Sequence, residues 1–313
     1  MNRNVSIIII ARNEPLIRYA LKSLEYQKVK PYEIIVVVDS LDDMSAKIAN
    51  EFADKLPVRV VVNDIKPGYG GARRKGVEAA RGSILAFIDA DVLVPPWWLS
   101  RVIEDLKQCF VVAGPEIPLK RSEVHGTVEA LPKMRMPPNC KYSYTWFAPT
   151  QNLALQRSVF EIVGNFDEKF DIGGEDYDFC LRLKKAGISI FHDSCAHVFH
   201  VENKHRLKKA WRDGKARARA FLKHGIHAIR DAFVCLFHGF ALLSSPLLVT
   251  LSVVSSNMLL LVPIALSLAH RSHRTFVAKR RANVSLWQAI KNSLITYISY
   301  TAFVIELFRR LFR

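Results

Sequence analysis

Val5-Ser6-Ile7-Ile8-Ile9-Ile10 and Glu33-Ile34-Ile35-Val36-Val37-Val38 are two runs dominated by β-branched residues, with almost no polar alternation. A strand with one wet face alternates apolar and polar residues. A run of this kind is buried on both faces, as in a sheet covered by helices on either side. The segments between such runs carry helical spacing. Glu14 to about Tyr26 puts Leu16, Ala20, Leu21 and Leu24 on one face, and Pro31 breaks the pattern. A helix around Ser45–Ala53, a strand around Val58–Val62, a helix around Gly71–Ala80 and a strand over Ser83–Asp89 continue the series. The alternation predicts a parallel α/β sheet. Such sheets bind ligands beyond the carboxyl ends of their strands, and Asp39 and Asp89 stand at two of those ends.

Residues 114–150 are irregular and rich in proline, and read as loops with short strands over the site. A helix is expected near Arg157–Val163, then a Gly173-Gly174-Glu175-Asp176 turn and a helix from about Tyr177 to Ala186 that Gly187 caps. Ile188–Phe191 reads as the last strand.

Charge divides the chain. Residues 1–200 hold 26 Lys+Arg against 25 Asp+Glu, and residues 201–313 hold 19 against 4. An anionic partner for the last third follows, either a membrane surface or nucleic acid. Lys204 to Arg230 holds ten basic residues, with Leu207, Trp211, Ala218, Phe221, Leu222, Ile226 and Ile229 recurring at helical spacing, the pattern of a basic amphipathic helix. Ala232 to Ala269 then contains no Asp, Glu, Lys or Arg over 38 residues. As one helix that stretch is about 57 Å long, against about 30 Å for a crossing, so two crossings with a turn at Ser244-Ser245-Pro246 or Ser255-Ser256-Asn257 are expected. Leu286–Phe308 either makes a third crossing or lies in the interface. The expected division is an α/β domain over 1–202, an interface helix over 203–231 and a membrane region over 232–313, with the hairpin at 232–269 and the third apolar helix at 286–308. The basic loop His270–Arg281 is expected on the cytosolic side with the first domain. Five cysteines without a C-x-x-C pair argue against a disulfide framework or zinc site and for a reducing compartment.

Ala86-Phe87-Ile88-Asp89-Ala90-Asp91 delivers two carboxylates to one side at the end of an apolar strand. Such a pair either forms an acidic turn or holds a hard divalent cation that keeps room for phosphate oxygens. Gly68-Tyr69-Gly70-Gly71, followed by Arg73, either cradles a phosphate at a helix start or is a flexible turn. Glu175-Asp176 either caps a helix or supplies a base. No P-loop or G-x-G-x-x-G fingerprint follows a strand.

Arg12-Asn13-Glu14, Val38-Asp39-Ser40-Leu41-Asp42-Asp43, the glycine turn with Arg73, Asp89-Ala90-Asp91, Asn165-Phe166-Asp167-Glu168 and Gly174-Glu175-Asp176-Tyr177-Asp178 follow one another in order. Taken together they resemble the family 2 glycosyltransferases of the GT-A fold, from residue 4 to about 200. The resemblance implies an α/β GT-A domain and inverting transfer from a nucleoside diphosphate sugar with Mg²⁺ or Mn²⁺. By position it makes Glu14 and Asp39 the nucleobase and ribose contacts, with Arg73 and Asp89 also on the donor. Asp89 and Asp91 become the metal-binding pair, and His200 is placed where many members carry a histidine, sometimes a metal ligand. Asp176, beside Glu175, becomes the general base. Arg212 and Lys215 are candidates for charge stabilisation at the diphosphate. Val38 stands where the family often has the first of two acids, and Q-x-x-R-W, the processive-synthase signature, is absent.

Among members, the chain resembles membrane-bound archaeal mannosyltransferases of N-glycan assembly. The expected enzyme is therefore a multi-pass protein of the cell membrane with a cytosolic catalytic domain and anionic lipids under its basic helix. It would move mannose from GDP-mannose to a lipid-linked glycan. The alternatives are a polyprenyl-phosphate sugar synthase and, outside the enzymes, a membrane-tethered nucleic-acid-binding protein. The uncharged stretch and the acids at strand ends argue against nucleic acid as the partner.

Overall fold

The computed structural model describes residues 4–201, 206–225, 229–255, 258–268, 270 and 286–312. The chain divides into two compact units, 1–203 and 204–313.

The first unit is built on an eight-stranded sheet. Its left half is the expected parallel wing: β1 (Val5–Ile10) pairs in parallel with β2 (Glu33–Val38) and with β4 (Ile84–Asp89), and β2 with β3 (Val58–Val62). The right half departs from expectation. β9 (Asn152–Gln156) lies antiparallel to both β4 and β6 (Val111–Ala113), so the sheet is mixed. β10 (Ile190–Asp193) runs parallel to β6, and β8 (Tyr142–Thr145) closes the edge antiparallel to β10. β11 (Val198–Val201) follows the strand expected to be last. It sits in a small separate sheet between β5 (Val92–Leu93) and β7 (Glu116–Leu119).

Alternation along β1 splits the core in two. Ile7 and Ile9 point to one face, where α1 (Ile17–Glu25), α2 (Met44–Asn50) and α4 (Trp98–Asp105) bury Leu21, Leu24, Ile48 and Trp98. Ile8 points to the other, against α3 (Tyr69–Ala79), α6 (Val159–Val163) and α7 (Glu175–Lys185) with Val77, Phe179 and Leu183. Residues 114–150 are more ordered than expected, with α5 (Val124–Ala130) packing Val124 and Val128 beside Leu93.

Cys140 and Cys195 form a disulfide, one bridge where no disulfide framework was expected. The antiparallel β8–β10 pairing brings the two segments together, and Lys141 and Ser194 exchange hydrogen bonds beside the bridge. Residue spacing does not carry that information, because the partners lie 55 residues apart.

The second unit is helical: α8 (Arg206–His224), α9 (Ile229–Leu243), α10 (Ser245–Ser255) and α11 (Leu286–Leu311). Ala218, Cys235, Tyr300, Phe303 and Leu307 form its core. Gly214 lets α8 approach α11, since a Cβ there would stand 2.0 Å from the Ser299 carbonyl oxygen. Among the described residues no helix is long and apolar enough to cross a membrane; the expected hairpin over 232–269 includes residues 256, 257 and 269, which lie outside them. The uncharged run is interrupted at Ser244, leaving helices of 15 and 11 residues. At 1.5 Å per residue they reach about 22 and 17 Å, short of a 30 Å hydrocarbon layer. α11 has the length but carries Lys291, Glu306, Arg309 and Arg310. Glu306 is buried against Arg219, Arg309 and Arg310. Most of the basic loop, residues 271–281, lies outside the described residues.

Candidate active site

A cleft of about 290 Å³ opens at the carboxyl ends of β1, β2 and β4, lined by Arg12, Glu14, Asp39, Tyr69, Asp89 and Asp91 among others. One end is shaped by the turn after β1. Asn13 takes φ 48°, the left-handed region that asparagine tolerates better than most residues. Its N–H donates to both Asp43 carboxylate oxygens, at 3.0 and 2.9 Å, and Asp43 also caps α2 through the Ser45 N–H at 2.7 Å. Glu14 Oε1 accepts from the Leu16 N–H at 3.0 Å. Asp39 accepts from the Asn63 amide at 3.3 Å and lies 3.8 Å from Arg12 Nε. Glu14 and Asp39 therefore line one wall.

At the other end Arg73 spans two acids. It is buried on α3 and donates to Asp89 Oδ1 at 2.9 Å and to Glu175 Oε1. Arg73, expected as a donor contact, ties the end of β4 to the start of α7. Burial pushes the Glu175 carboxyl up to about 7, with Arg73 opposing the shift. Glu175 Oε2 is buried without a hydrogen-bond partner. Burial also raises Asp89, again against Arg73. Asp176, the next residue, is only partly buried and accepts from the Tyr177 N–H at 2.7 Å. Glu175 is thus the buried partner of a structural ion pair and Asp176 the more accessible acid.

Two amides of the glycine turn are already engaged. The Tyr69 and Gly70 N–H groups are spent on the carbonyls of Asp171 and Phe170, at 3.1 and 3.0 Å. A Cβ on Gly68, Gly70 or Gly71 would meet backbone oxygens at 2.3, 2.2 and 2.0 Å, so the glycines serve close packing of α3 on residues 167–171 and on Lys66.

His200, on β11, faces Asp91: Nε2 lies 3.6 Å from Asp91 Oδ1. Nδ1 lies 3.1 Å from Glu116 Oε2. Burial works against the imidazolium, but hydrogen bonds with Asp91 and Glu116 outweigh it and raise His200 to about 10. Glu116 and Gln151 carried no sequence signal, since Glu116 stands in the irregular segment and Gln151 in a Pro-Thr turn. Among the described residues Cys140, Asp193 and Cys195 are the one group of three with ligand atoms within 4.8 Å of one another, and its sulfurs are joined in the disulfide. The expected trio Asp89, Asp91 and His200 is not so tight, because Asp89 is drawn to Arg73. Asp91 and His200 remain an oxygen and a nitrogen ligand side by side on an open cleft. That fits a divalent cation completed by substrate oxygens and water. Arg212 and Lys215 lie on α8 of the second unit, with Lys215 Nζ 5.8 Å from the centre of the Trp211 ring.

Strands that end on acids around one cleft, an Asp-x-Asp pair and an acid pair opening α7 are the arrangement of a nucleotide-sugar transferase. Residues 6–164 match Glycosyl transferase family 2, and the chain belongs to that family, with an α/β GT-A fold followed by C-terminal helices. Its relatives include EpsH of Bacillus subtilis, named only as a glycosyltransferase, which is 38% identical over 100 residues covering 32% of this chain and 29% of EpsH. Glycosyltransferase AglE of Haloferax volcanii is 28% identical over 235 residues, 70% of this chain and 74% of AglE. The chain spans about 30% of the length of EpsH and of EpsJ, a second B. subtilis glycosyltransferase. Among solved structures, the mannosyltransferase PcManGT from Pyrobaculum calidifontis, in complex with GDP-Man and Mn²⁺, superposes with a TM-score of 0.67 at 17% identity, over 97% of this chain and 87% of that one. GalNAc-T7 with UDP, GalNAc and Mn²⁺ gives 0.55 at 16% identity over 70% of this chain and 47% of that one.

Proposed function

We propose that the chain transfers a sugar, with inversion, from a nucleoside diphosphate sugar to a hydroxyl of a lipid-linked glycan, with GDP-mannose as donor. The observation that carries this reading is the Arg73 bridge, which ties the Glu-Asp helix start to the Asp-x-Asp strand end, and that strand end borders a cleft also lined by Glu14 and Asp39. Glu14 and Asp39 hold the nucleoside. Asp91 and His200 hold a divalent cation, which when bound neutralises charge developing on the leaving diphosphate. Asp89, fixed by Arg73, borders the same space. Asp176 takes the proton of the attacking hydroxyl as general base, and its partial exposure leaves it accessible to an acceptor. Glu175 is the anchor that holds Asp176 in register. The choice of GDP-mannose and Mn²⁺ is supported by the fold shared with PcManGT, in whose structure both are bound.

The second unit attaches the enzyme to the cytosolic face of the cell membrane by lying in the interface. Leu207, Trp211 and Leu222 are exposed on α8 beside exposed Lys208, Lys209 and Lys223. Phe240, Leu242, Leu243 and Leu247 are exposed on α9 and α10. Apolar anchors among cations suit an anionic lipid surface. A panel of nucleotide sugars, scored by the shift in melting temperature with Mn²⁺ and with EDTA, tests the donor. GDP-mannose is expected to give the largest shift, lost in EDTA; an equal shift in EDTA refutes the metal site. Flotation with anionic but not neutral liposomes tests the attachment.

A further inference from the structure

The histidine end of the cleft is built on the small sheet. β11 is its middle strand, antiparallel to β5 and parallel to β7. Val92 stands opposite His200, which puts Asp91, the residue before β5, beside the ring. Glu116 opens β7 opposite Val198, on the same pleat face as the position opposite His200. The imidazole therefore meets a different acid at each nitrogen: Asp91 at Nε2, 3.6 Å away, and Glu116 at Nδ1, 3.1 Å away. The Glu116 oxygen that faces Nδ1 also accepts from the Gln151 side-chain amide, whose nitrogen lies 3.3 Å from Nδ1. Two donors converge on one carboxylate oxygen.

A neutral imidazole has one N–H and one lone pair, and the partner of the first decides where the second points. With Nδ1–H donated to Glu116, a cation that displaces the Nε2 proton meets the Nε2 lone pair on the side of Asp91. We infer that Glu116, itself held by Gln151, is a positioning residue that fixes the tautomer and ring orientation of His200 for a divalent cation shared with Asp91. The inference rests on the metal reading above. A carboxylate behind a ligating histidine also makes the imidazole a stronger donor, and loss of such a partner commonly costs 10–100-fold in metal affinity. Glu116 acts from behind the ring, because its Oε2 faces the nitrogen opposite the one beside Asp91.

Titration of the purified full chain with Mn²⁺, followed by the loss of the free-ion electron paramagnetic resonance signal, measures affinity without turnover. Glu116→Ala is expected to weaken Mn²⁺ binding roughly 10–100-fold. Glu116→Gln, whose amide oxygen still accepts from Nδ1–H, recovers most of that loss. Long-range ¹H–¹⁵N spectra with Mg²⁺ bound are expected to show the His200 proton on Nδ1 in the wild type, and they carry the test if Glu116→Ala does not fold. Equal Mn²⁺ affinity in wild type and a folded Glu116→Ala, or a His200 proton on Nε2 in the loaded wild type, overturns the positioning role while leaving the metal reading intact. Failure of the wild type to bind Mn²⁺, with or without GDP, overturns the metal reading and this inference together.

Discussion

Removing the Arg73 cation tests the structural centre of the site. The side chain is about 4% exposed, as is that of Glu175, while Asp89 is 24% exposed. Arg73→Met keeps much of the volume and takes away both bonds. Asp89 can regain water at the cleft, but Glu175 cannot, and Oε2 already lacks a partner. Breaking a buried pair by deleting one member costs about 3–5 kcal/mol, because the remaining charge is stranded. For a unit of this size each kcal/mol is worth about 2–4 °C, so the melting temperature should fall by roughly 6–20 °C. The cost belongs to the stranded carboxylate, so neutralising it should return part of the stability. Arg73→Met with Glu175→Gln is expected to be more stable than the sum of the two single changes by about 1–3 kcal/mol. Thermal unfolding of the four proteins at pH 8 closes the cycle. A loss below 1 kcal/mol for Arg73→Met, or additive single changes, refutes the clamp.

Protonation of Glu175 gives a second reading of the same pair. Its folded-state value of about 7 exceeds its ordinary value of 4.5, so the folded state binds the extra proton and stability falls as pH rises from about 4.5 to about 7. The drop is about 3 kcal/mol, and the melting profile of Glu175→Gln should lack that slope; an unchanged slope assigns it to another group. Asp176→Asn should bind donor normally and lose roughly 10²–10⁴-fold in turnover to a sugar hydroxyl. Retention within a few-fold makes Asp176 a helix cap, and retention on a phosphate acceptor alone favours a polyprenyl-phosphate synthase. Thiol titration of the denatured, unreduced protein should count three cysteines, Cys109, Cys180 and Cys235, and five after reduction.

What the sequence made legible was local chemistry with a strong physical signature. Burial on both faces writes itself as β-branched runs, so β1, β2 and β4 and the acids at or just beyond their ends were readable in order. β9 was not, because a short strand inserted antiparallel between β4 and β6 owes its place to long-range pairing. The uncharged stretch after Asp231 shows a related gap. Hydropathy along a chain counts missing charges but not the length of each helix, and the break at Ser244 falls between helices of 15 and 11 residues. The same distinction runs through the site. Asp39 and Asp89 are strand ends, and their motif announces them. The partners of His200 are set by the register of three strands drawn from residues near 92, 116 and 200, and no spacing rule reaches across those intervals. Register then does chemical work: because the side-chain period of a strand is two, a one-residue slip of β7 would turn Glu116 to the opposite face and leave Nδ1 without its acceptor. The choice of tautomer at the metal end is therefore a property of sheet pairing, and changes that loosen β7 should disturb cation affinity before they disturb the donor wall at Glu14 and Asp39.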